Sequence, residues 1–308
     1  MAIRDRLMVA LDRASSLPDG PVRDRLLTVT FVGGGFTGVE GFGELLSLAE
    51  DLLPRYPRIR ADQLRFHLVE ATGRLMPEVS ERTATWVVES LRKRGAHIHL
   101  NTRVVSAVDG HVTLSTGLEF DSELVVWVAG NGVNPLISRH TDLPVDDRGY
   151  LRARADLRIG TEEEPVSDAW TAGDDASIPD LSSTGSGRTR TAPTAQHAVR
   201  QGRRVAVNVV RVMRGRQPRP YLHRNLGVVA TMGRGQGVFE SGPVVLRGRL
   251  AWLIHRGYHL FAIPTTERKL RVLADWSTGA FSGRDSVSLE SVQSPRAAFV
   301  EADASRVG

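Results

Sequence analysis

The chain has 308 residues, 41% hydrophobic and 24% charged, ordinary proportions for a globular protein and enough to bury the cores of two domains. Its formal charge of +5 is carried almost wholly by arginine, since Lys93 and Lys269 are the only lysines. The absence of cysteine excludes a disulfide framework, a thiolate metal site and a dithiol redox pair, so any redox chemistry must come from a bound cofactor.

The basic balance favours an anionic partner, either a phosphate-bearing cofactor or a lipid surface, or else it is a solvated surface with no partner. Nucleic acid is not expected, because no recognised binding module accompanies the arginines. No secretory signal opens the chain, and no run approaches the ~18 apolar residues of a membrane span. The expectation is a cytoplasmic protein, soluble or peripheral on the inner face of the cell membrane.

Ile3, Leu7, Met8 and Leu11 recur at helical spacing and predict a leader helix, followed by a turn-rich break from Ser15 to Pro21. The apolar, β-branched run Leu26–Val32 has the character of a buried parallel strand. Glycines at 33, 35 and 38 follow, and Val39 to Leu53 has an amphipathic helical pattern. This is G-x-G-x-x-G between a strand and a helix, the context that a dinucleotide fingerprint requires. Gly33 is expected to turn tightly, Gly35 to let a pyrophosphate approach the backbone, and Gly38 to let helix and strand pack closely. The free N–H groups and positive dipole end of the helix would face the phosphates.

Pro54 and Pro57 lie in a connection to the next strand, Arg65–Glu70, which ends in an acid. Glu70 either accepts hydrogen bonds from the adenosine ribose hydroxyls, disfavouring a 2′-phosphate, or is a turn residue at a strand end. It falls later than the usual ~20 residues beyond the glycines, an excess the connection can absorb. Ser80 is a candidate N-cap for a helix to Arg94, with Gly95 as its stop. His97–Leu100 resumes the sheet. Val104–Val108, His111–Leu114 and Glu119–Phe120 predict an antiparallel meander, and Leu124–Ala129 another buried strand ended by Gly130 and Gly132.

Beyond Pro135 the character changes. Asp146–Tyr150 predicts a hairpin turn, Thr161–Pro165 an acidic loop, and Ala169–Ala176 a short strand delivering Asp174. Ser182–Thr191 is a Ser/Thr/Gly/Arg-rich loop, Pro193 to about Arg214 a helix, and the residues from about Gln293 a loose tail.

Phe36–Glu40 (Phe-Thr-Gly-Val-Glu), the late Glu70, Trp127–Gly130 (Trp-Val-Ala-Gly), Ala172-Gly173-Asp174 and Ala195-Gln196 through Gln201-Gly202 occur in this order. The series resembles type II NADH dehydrogenase, the flavoprotein NADH:quinone oxidoreductases with two dinucleotide-binding domains, from the leader helix to roughly Ser282. The resemblance implies NADH and FAD as cofactors and quinone as electron acceptor. Gly33, Gly34, Gly35, Phe36, Thr37, Gly38 and Glu70, with Ala129 and Gly130, would bind NADH. Glu40 would lie near the nicotinamide and flavin, orienting the carboxamide or assisting proton delivery. The alternative from sequence is a first-turn acid complementing the helix dipole. Gly173 and Asp174 would hold the FAD ribityl chain. Ala195, Gln196 and Gln201 would lie beside the isoalloxazine where quinone enters, with Gln196 favoured because 196 and 201 do not share one helical stripe. His197 and Arg200 depart from the family pattern, which has apolar and glutamine residues there.

The implied architecture is α/β. A leader helix (1–27) precedes a Rossmann-like NAD-binding domain with a β-meander (28–132). The returning half of an FAD-binding domain (133–215) and a C-terminal α/β segment (216–308) follow. The family's N-terminal FAD-binding unit is not found ahead of Gly33, so the chain is expected to be truncated, a fragment or one piece of a split enzyme. Its partner would then be a homodimer mate or a chain bearing the missing FAD domain. The alternative is a non-enzymatic NADH-binding module without stable flavin. In the C-terminal segment, Trp252–Phe261 sets aromatic and aliphatic residues beside Arg247, Arg249 and Arg256. This stretch would lie in an anionic lipid interface, or pack on the FAD domain or at a dimer contact.

Overall fold

The fold is described from a computed structural model in which residues 2–130, 132–182, 190–223 and 227–282 are placed. Most of the loop foreseen at Ser182–Thr191, and the tail from about Gln293, lie outside the described residues. The chain divides into two compact units, Met1–Gly130 with Gly227–Gly308, and Asn131–Leu226.

In the first unit, α1 (Ala2–Ser16) buries Leu7, Met8, Leu11 and Ala14 on one face. A second helix, α2 (Pro21–Leu26), starts at the last residue of the expected break and takes the first residue of the expected strand. Proline at its first position pre-sets φ for a helix, a signal outweighed in the sequence by the surrounding turn residues. The strand therefore starts later, as β1 (Thr28–Val32), and α3 (Phe36–Leu52) starts earlier than foreseen, directly after Gly35. There follow β2 (Arg65–Val69), α4 (Glu81–Lys93), β3 (His97–His99), the meander β4 (Val104–Val108), β5 (His111–Leu114) and β6 (Glu119–Asp121), and β7 (Leu124–Trp127). Ser80 caps α4 by accepting the Thr83 amide at 3.3 Å.

The main sheet is parallel, in the order β3-β2-β1-β7, with Val29 beside Phe66 on one side and Leu124 on the other. Every residue of β1 is buried, as expected of a strand covered on both faces. On one face Phe31, Phe42 and Phe66 meet edge to face at 5.6 and 5.9 Å. On the other, Val69 packs with Val112 and Leu114 of the meander, and His67 stacks on Phe120 at 4.1 Å. The chain leaves β1 toward β2 and β3 and returns at β7, so strand order reverses beside β1, where ligands bind in such sheets.

The second unit contains α5 (Leu136–His140), β8 (Leu151–Arg152), β9 (Arg158–Gly160), β10 (Pro165–Trp170), β11 (Ala176–Ser177) and α6 (Ala195–Met213). The expected Asp146 turn is present, with the Asp146 amide donating to Tyr150 O at 2.8 Å. Ala153, Leu157, Ala176, Ile178 and Tyr221 form its core. Buried Asn208 ties α6 to the segment after it and to the turn before β9, donating to Arg219 O and Asp156 O and accepting the Arg219 amide.

From Gly227 the chain rejoins the first unit, so the residues after 216 do not form a piece of their own. The antiparallel strands β12 (Val228–Thr231), β13 (Gly237–Ser241) and β14 (Val244–Arg247) lead into α7 (Arg249–Ala262) and α8 (Thr266–Ser282). Ala230, Met232 and Val238 join the core built around β1 and α3. Arg94 clamps this docking, donating to Met232 O at 2.6 Å, Ser47 Oγ at 2.8 Å and Glu50 Oε2 at 2.8 Å.

A Cβ on Gly43 of α3 would lie 2.5 Å from the Met232 carbonyl carbon, whereas a Cβ on Gly202 of α6 would meet nothing. Gly43→Ala is therefore expected to destabilise by about 1–3 kcal/mol through overpacking. Gly202→Ala should stabilise by roughly 0.5–1 kcal/mol by stiffening the unfolded chain. Denaturant titration of both variants checks the pair, and equal effects would contradict the packing.

Candidate functional site

The three fingerprint glycines differ in their surroundings as their roles require. Gly33 has φ +113°, and a Cβ there would stand 2.9 Å from the Ala129 amide nitrogen. Its own amide donates to Val69 O at 2.9 Å, which draws the turn over the ends of β1, β2 and β7. At Gly38 a Cβ would fall 1.9 Å from Gly33 O, so only glycine lets α3 approach the strand end. Gly35, at the N-terminus of α3, has ordinary extended backbone and nothing within 4 Å of its would-be Cβ. The amides of the first turn, from Phe36 and Thr37 onward, open beside that space with no acidic side chain of their own turn to occupy them.

Gly34 is packed from the other side by Leu75 and Glu70. The Glu70 carboxylate accepts the Gly34 amide at 2.6 Å through one oxygen, and the Thr72 amide and hydroxyl, both at 2.8 Å, through the other. Glu70 thus braces the glycine turn from the adjacent strand. An ionised carboxylate has about four acceptor positions, so three bonds leave capacity for a further donor. Ala129 and Gly130, the latter at φ +77°, close the turn from β7, and Trp127 Nε1 donates to Ala129 O at 3.0 Å.

Glu40 lies one turn into α3 on the side of the C-terminal hairpin. Its Oε1 accepts the Thr231 amide at 3.1 Å and stands 3.4 Å from His255 Nε2 of α7. His255 Nε2 is in turn 3.0 Å from His259 Nε2. Burial and the neighbouring His255 hold His259 below its ordinary pKa, against the opposing pull of Glu40. Neither histidine stands out in the sequence as a site residue. Their i, i+4 spacing was visible, but nothing local links them to Glu40, more than two hundred positions earlier.

A cavity of about 860 Å³ also lies in this unit, lined by Thr37, Leu45, Val128, Trp252 and Trp276 among others. Arg256 is held between its two indoles, 4.2 Å from the Trp252 centroid and 4.5 Å from that of Trp276. Gly33, Gly34 and Gly35 do not line it, but Thr37 does, so the cavity borders the first turn of α3.

In the second unit the structure brings Gly173, Asp174 and Gln201 together. Gly173, at φ +86°, donates its amide to Gln201 Oε1 at 2.8 Å, and Gln201 Nε2 donates to Thr191 Oγ1 at 3.1 Å. Gln201 is fully buried and holds the turn that presents Asp174, whose side chain is exposed. Ala195 and the half-buried Gln196 open α6, capped by Thr194 through the His197 amide. His197, unusual for its position, is buried, with Nδ1 3.0 Å from Tyr221 Oη and its ring 4.0 Å from His223. Burial raises the Tyr221 pKa and, with Arg200, lowers that of His223. Among the described residues no group of His, Asp and Glu is arranged to hold a metal ion.

The parallel sheet, its reversal beside β1 and the glycine turn define a protein of the doubly wound α/β class. The family model for pyridine nucleotide-disulphide oxidoreductase matches residues 7–202, and the chain belongs to that family. It is 26% identical over 288 residues to a probable NADH dehydrogenase of Dictyostelium discoideum, covering 92% of this chain and 61% of that protein. It is also 26% identical to the type II NADH:quinone oxidoreductase Ndh of Mycobacterium tuberculosis, with the same 92% and 61% coverage. The chain therefore spans about three-fifths of the length of these relatives. A structure of NDH2 from Plasmodium falciparum in complex with NADH shares the fold, with a TM-score of 0.81 at 16% identity, over 93% of this chain and 72% of that one.

Proposed function

We propose that the chain is the NADH-binding part, with part of the flavin-binding region, of an NADH:quinone oxidoreductase of the type II kind. The carrying observation is the contrast within the fingerprint, where Gly33 and Gly38 are packed to contact and Gly35 is open beside the first amides of α3. Those amides and the helix dipole receive the pyrophosphate. Glu70 holds the turn in shape and, through its remaining acceptor capacity, favours a ribose hydroxyl over a 2′-phosphate, hence NADH over NADPH.

FAD is the second cofactor of this reading. The exposed Asp174 carboxylate, on a turn fixed by Gln201, has the chemistry to accept the ribityl hydroxyls, and so the residues fit the group. Bound there, the flavin would supply the redox step, taking hydride from NADH and passing two electrons to quinone. Ala195 and Gln196 are the proposed neighbours of the quinone, and Glu40 the acid serving the nicotinamide end. A purified sample tests this. Flavin absorption that bleaches on adding NADH supports the oxidoreductase. A colourless protein that binds NADH marks a non-enzymatic module, and one that binds no NADH overturns the assignment.

The reading extends to a peripheral membrane position. No helix among the described residues is long and apolar enough to cross a membrane. Yet α7 exposes Leu250, Leu253, Tyr258 and Phe261, and α8 exposes Leu270 and Leu273, with Arg249, Arg268, Lys269 and Arg271 interspersed. Such faces bury apolar side chains at the headgroup boundary with their cations outward. Co-sedimentation with vesicles containing phosphatidylglycerol should fall about tenfold or more for Leu253→Asp combined with Phe261→Asp, since two large apolar contacts are replaced by repelled charges. Undiminished binding would contradict the membrane face.

A further inference from the structure

The cavity walled by α3 and the C-terminal helices has no part in the proposed reaction. Its volume of about 860 Å³ falls within the about 300–1,000 Å³ of small-molecule sites. One side is apolar, built from Phe31 of β1, Leu45 and Leu48 of α3, and Val126 and Val128 from β7 onward. Another comes from α7 and α8. Trp252 and Arg256, at i and i+4, share one stripe of α7, and Trp276 approaches from α8. A different stripe of α7, with Leu250, Leu253 and Phe261, is exposed to solvent. Gly279 of α8 also lines the cavity, and a Cβ there would meet nothing within 4 Å. Glycine weakens a helix interior, and here its missing side chain keeps the space open.

The charged groups decide what kind of ligand fits. Two tryptophan faces side by side would make a cage for an organic cation, but the Arg256 guanidinium already lies over both, at 4.2 and 4.5 Å. The cage therefore presents the rim of a guanidinium, whose five N–H donors are more than a single partner can use. The indoles fix its plane, and a carboxylate is the acceptor that matches such a fork. Arg4 of the lining is paired with buried Asp5 at 3.0 Å. Arg234 and Asp275 are exposed, so solvent and salt screen them. Glu44 is half-buried on α3 and repels an anion from that side, which leaves Arg256 as the place for the head group.

We propose that this cavity binds one single-chain fatty acid, its carboxylate on Arg256 and its chain against Phe31, Leu45, Leu48 and Val126. Burial of the chain on that apolar side supplies the affinity, and the guanidinium selects the anionic head. The site needs neither NADH nor flavin, since of the first turn of α3 only Thr37 lines it. Arg256 thus differs from the arginines interspersed on the outer faces of α7 and α8: it serves a ligand inside the unit.

Calorimetric titration of the full chain with decanoate, decanol and decyltrimethylammonium, all below micelle formation, tests the site. Decanoate should bind once per chain and about tenfold or more tighter than decanol, with the ammonium weakest. Arg256→Gln should bring decanoate down to the level of decanol. Gly279→Leu, which fills space without meeting a neighbour, should weaken both about tenfold or more. Leu253→Asp combined with Phe261→Asp, on the outer stripe, should leave decanoate binding unchanged. Quenching of tryptophan fluorescence by 2-bromodecanoate, reduced in Trp276→Phe, locates the head group, and it decides the matter if Arg256→Gln does not fold. Equal binding of the three head groups, or decanoate binding that survives Gly279→Leu and is lost in the outer-stripe variant, would overturn the proposal. Displacement of decanoate by dihexanoylphosphatidylglycerol would make a two-chain membrane lipid the occupant and overturn the single-chain assignment.

Discussion

Gly35→Val should leave the chain folded and lower its affinity for NADH by at least about 100-fold, since the second fingerprint glycine is where the backbone meets the pyrophosphate. The backbone at residue 35 is extended, with φ −70° and ψ −176°, a conformation valine adopts without strain. A Cβ there touches nothing within 4 Å, so the substitution takes space only from the ligand. The neighbours behave oppositely. Gly38→Ala pushes a methyl group to 1.9 Å from Gly33 O and must separate α3 from β1, losing stability as well as binding. Calorimetric titration with NADH, paired with thermal unfolding, distinguishes the two. If Gly35→Val binds NADH as the unsubstituted chain does, the pyrophosphate is not at this turn.

The second large effect concerns acid. His67 is buried in β2, stacked between Phe120 at 4.1 Å and the rings of His97 and His99 at 4.8 and 5.3 Å. Burial, with the positive charges of His97, His99 and Arg65 nearby, lowers its pKa from 6.5 to about 3. Above pH 6.5 it is neutral in both folded and unfolded chains and contributes no proton linkage. As pH falls from 6.5 toward 3, the unfolded chain binds a proton that the folded chain refuses, so stability is lost at roughly 1 kcal/mol per pH unit. Between pH 6.5 and 4.5 the loss through this one group should be roughly 2–3 kcal/mol. His67→Phe, which keeps a ring against Phe120, removes that part of the slope. Denaturant unfolding of both proteins at the two pH values gives the difference, and parallel pH profiles would contradict it.

How much could be seen in advance differs by element. The glycine turn was legible because its requirements are local: a β-branched strand, three glycines at fixed offsets and a helix after them. The Ser80 cap and the meander were legible for the same reason, since a cap bonds three residues on and the Asp109–Gly110 turn, with both φ values positive, joins adjacent strands. Gln201 is the instructive case. Sequence grouped it with Gln196 as a candidate at the flavin. Its fully buried amide bridges Gly173 and Thr191, a role no local pattern announces, since the two come together only when α6 packs on its own unit. Glu70 stood between two sequence readings, and the structure shows its carboxylate supporting the turn it follows by 36 positions.

The sequence alone determined the class of the first unit and the position of its glycine turn, because strand, glycines and helix act over a dozen consecutive residues. Only the tertiary structure decided that the chain beyond Gly227 returns to that unit, and so which groups surround Glu40. That return depends on Gly43 lacking a Cβ where Met232 passes and on Arg94 bonding four residues at once. Contacts between residues so far apart in the chain leave no periodicity, since each is a fit of shape and hydrogen bonding that exists only after packing.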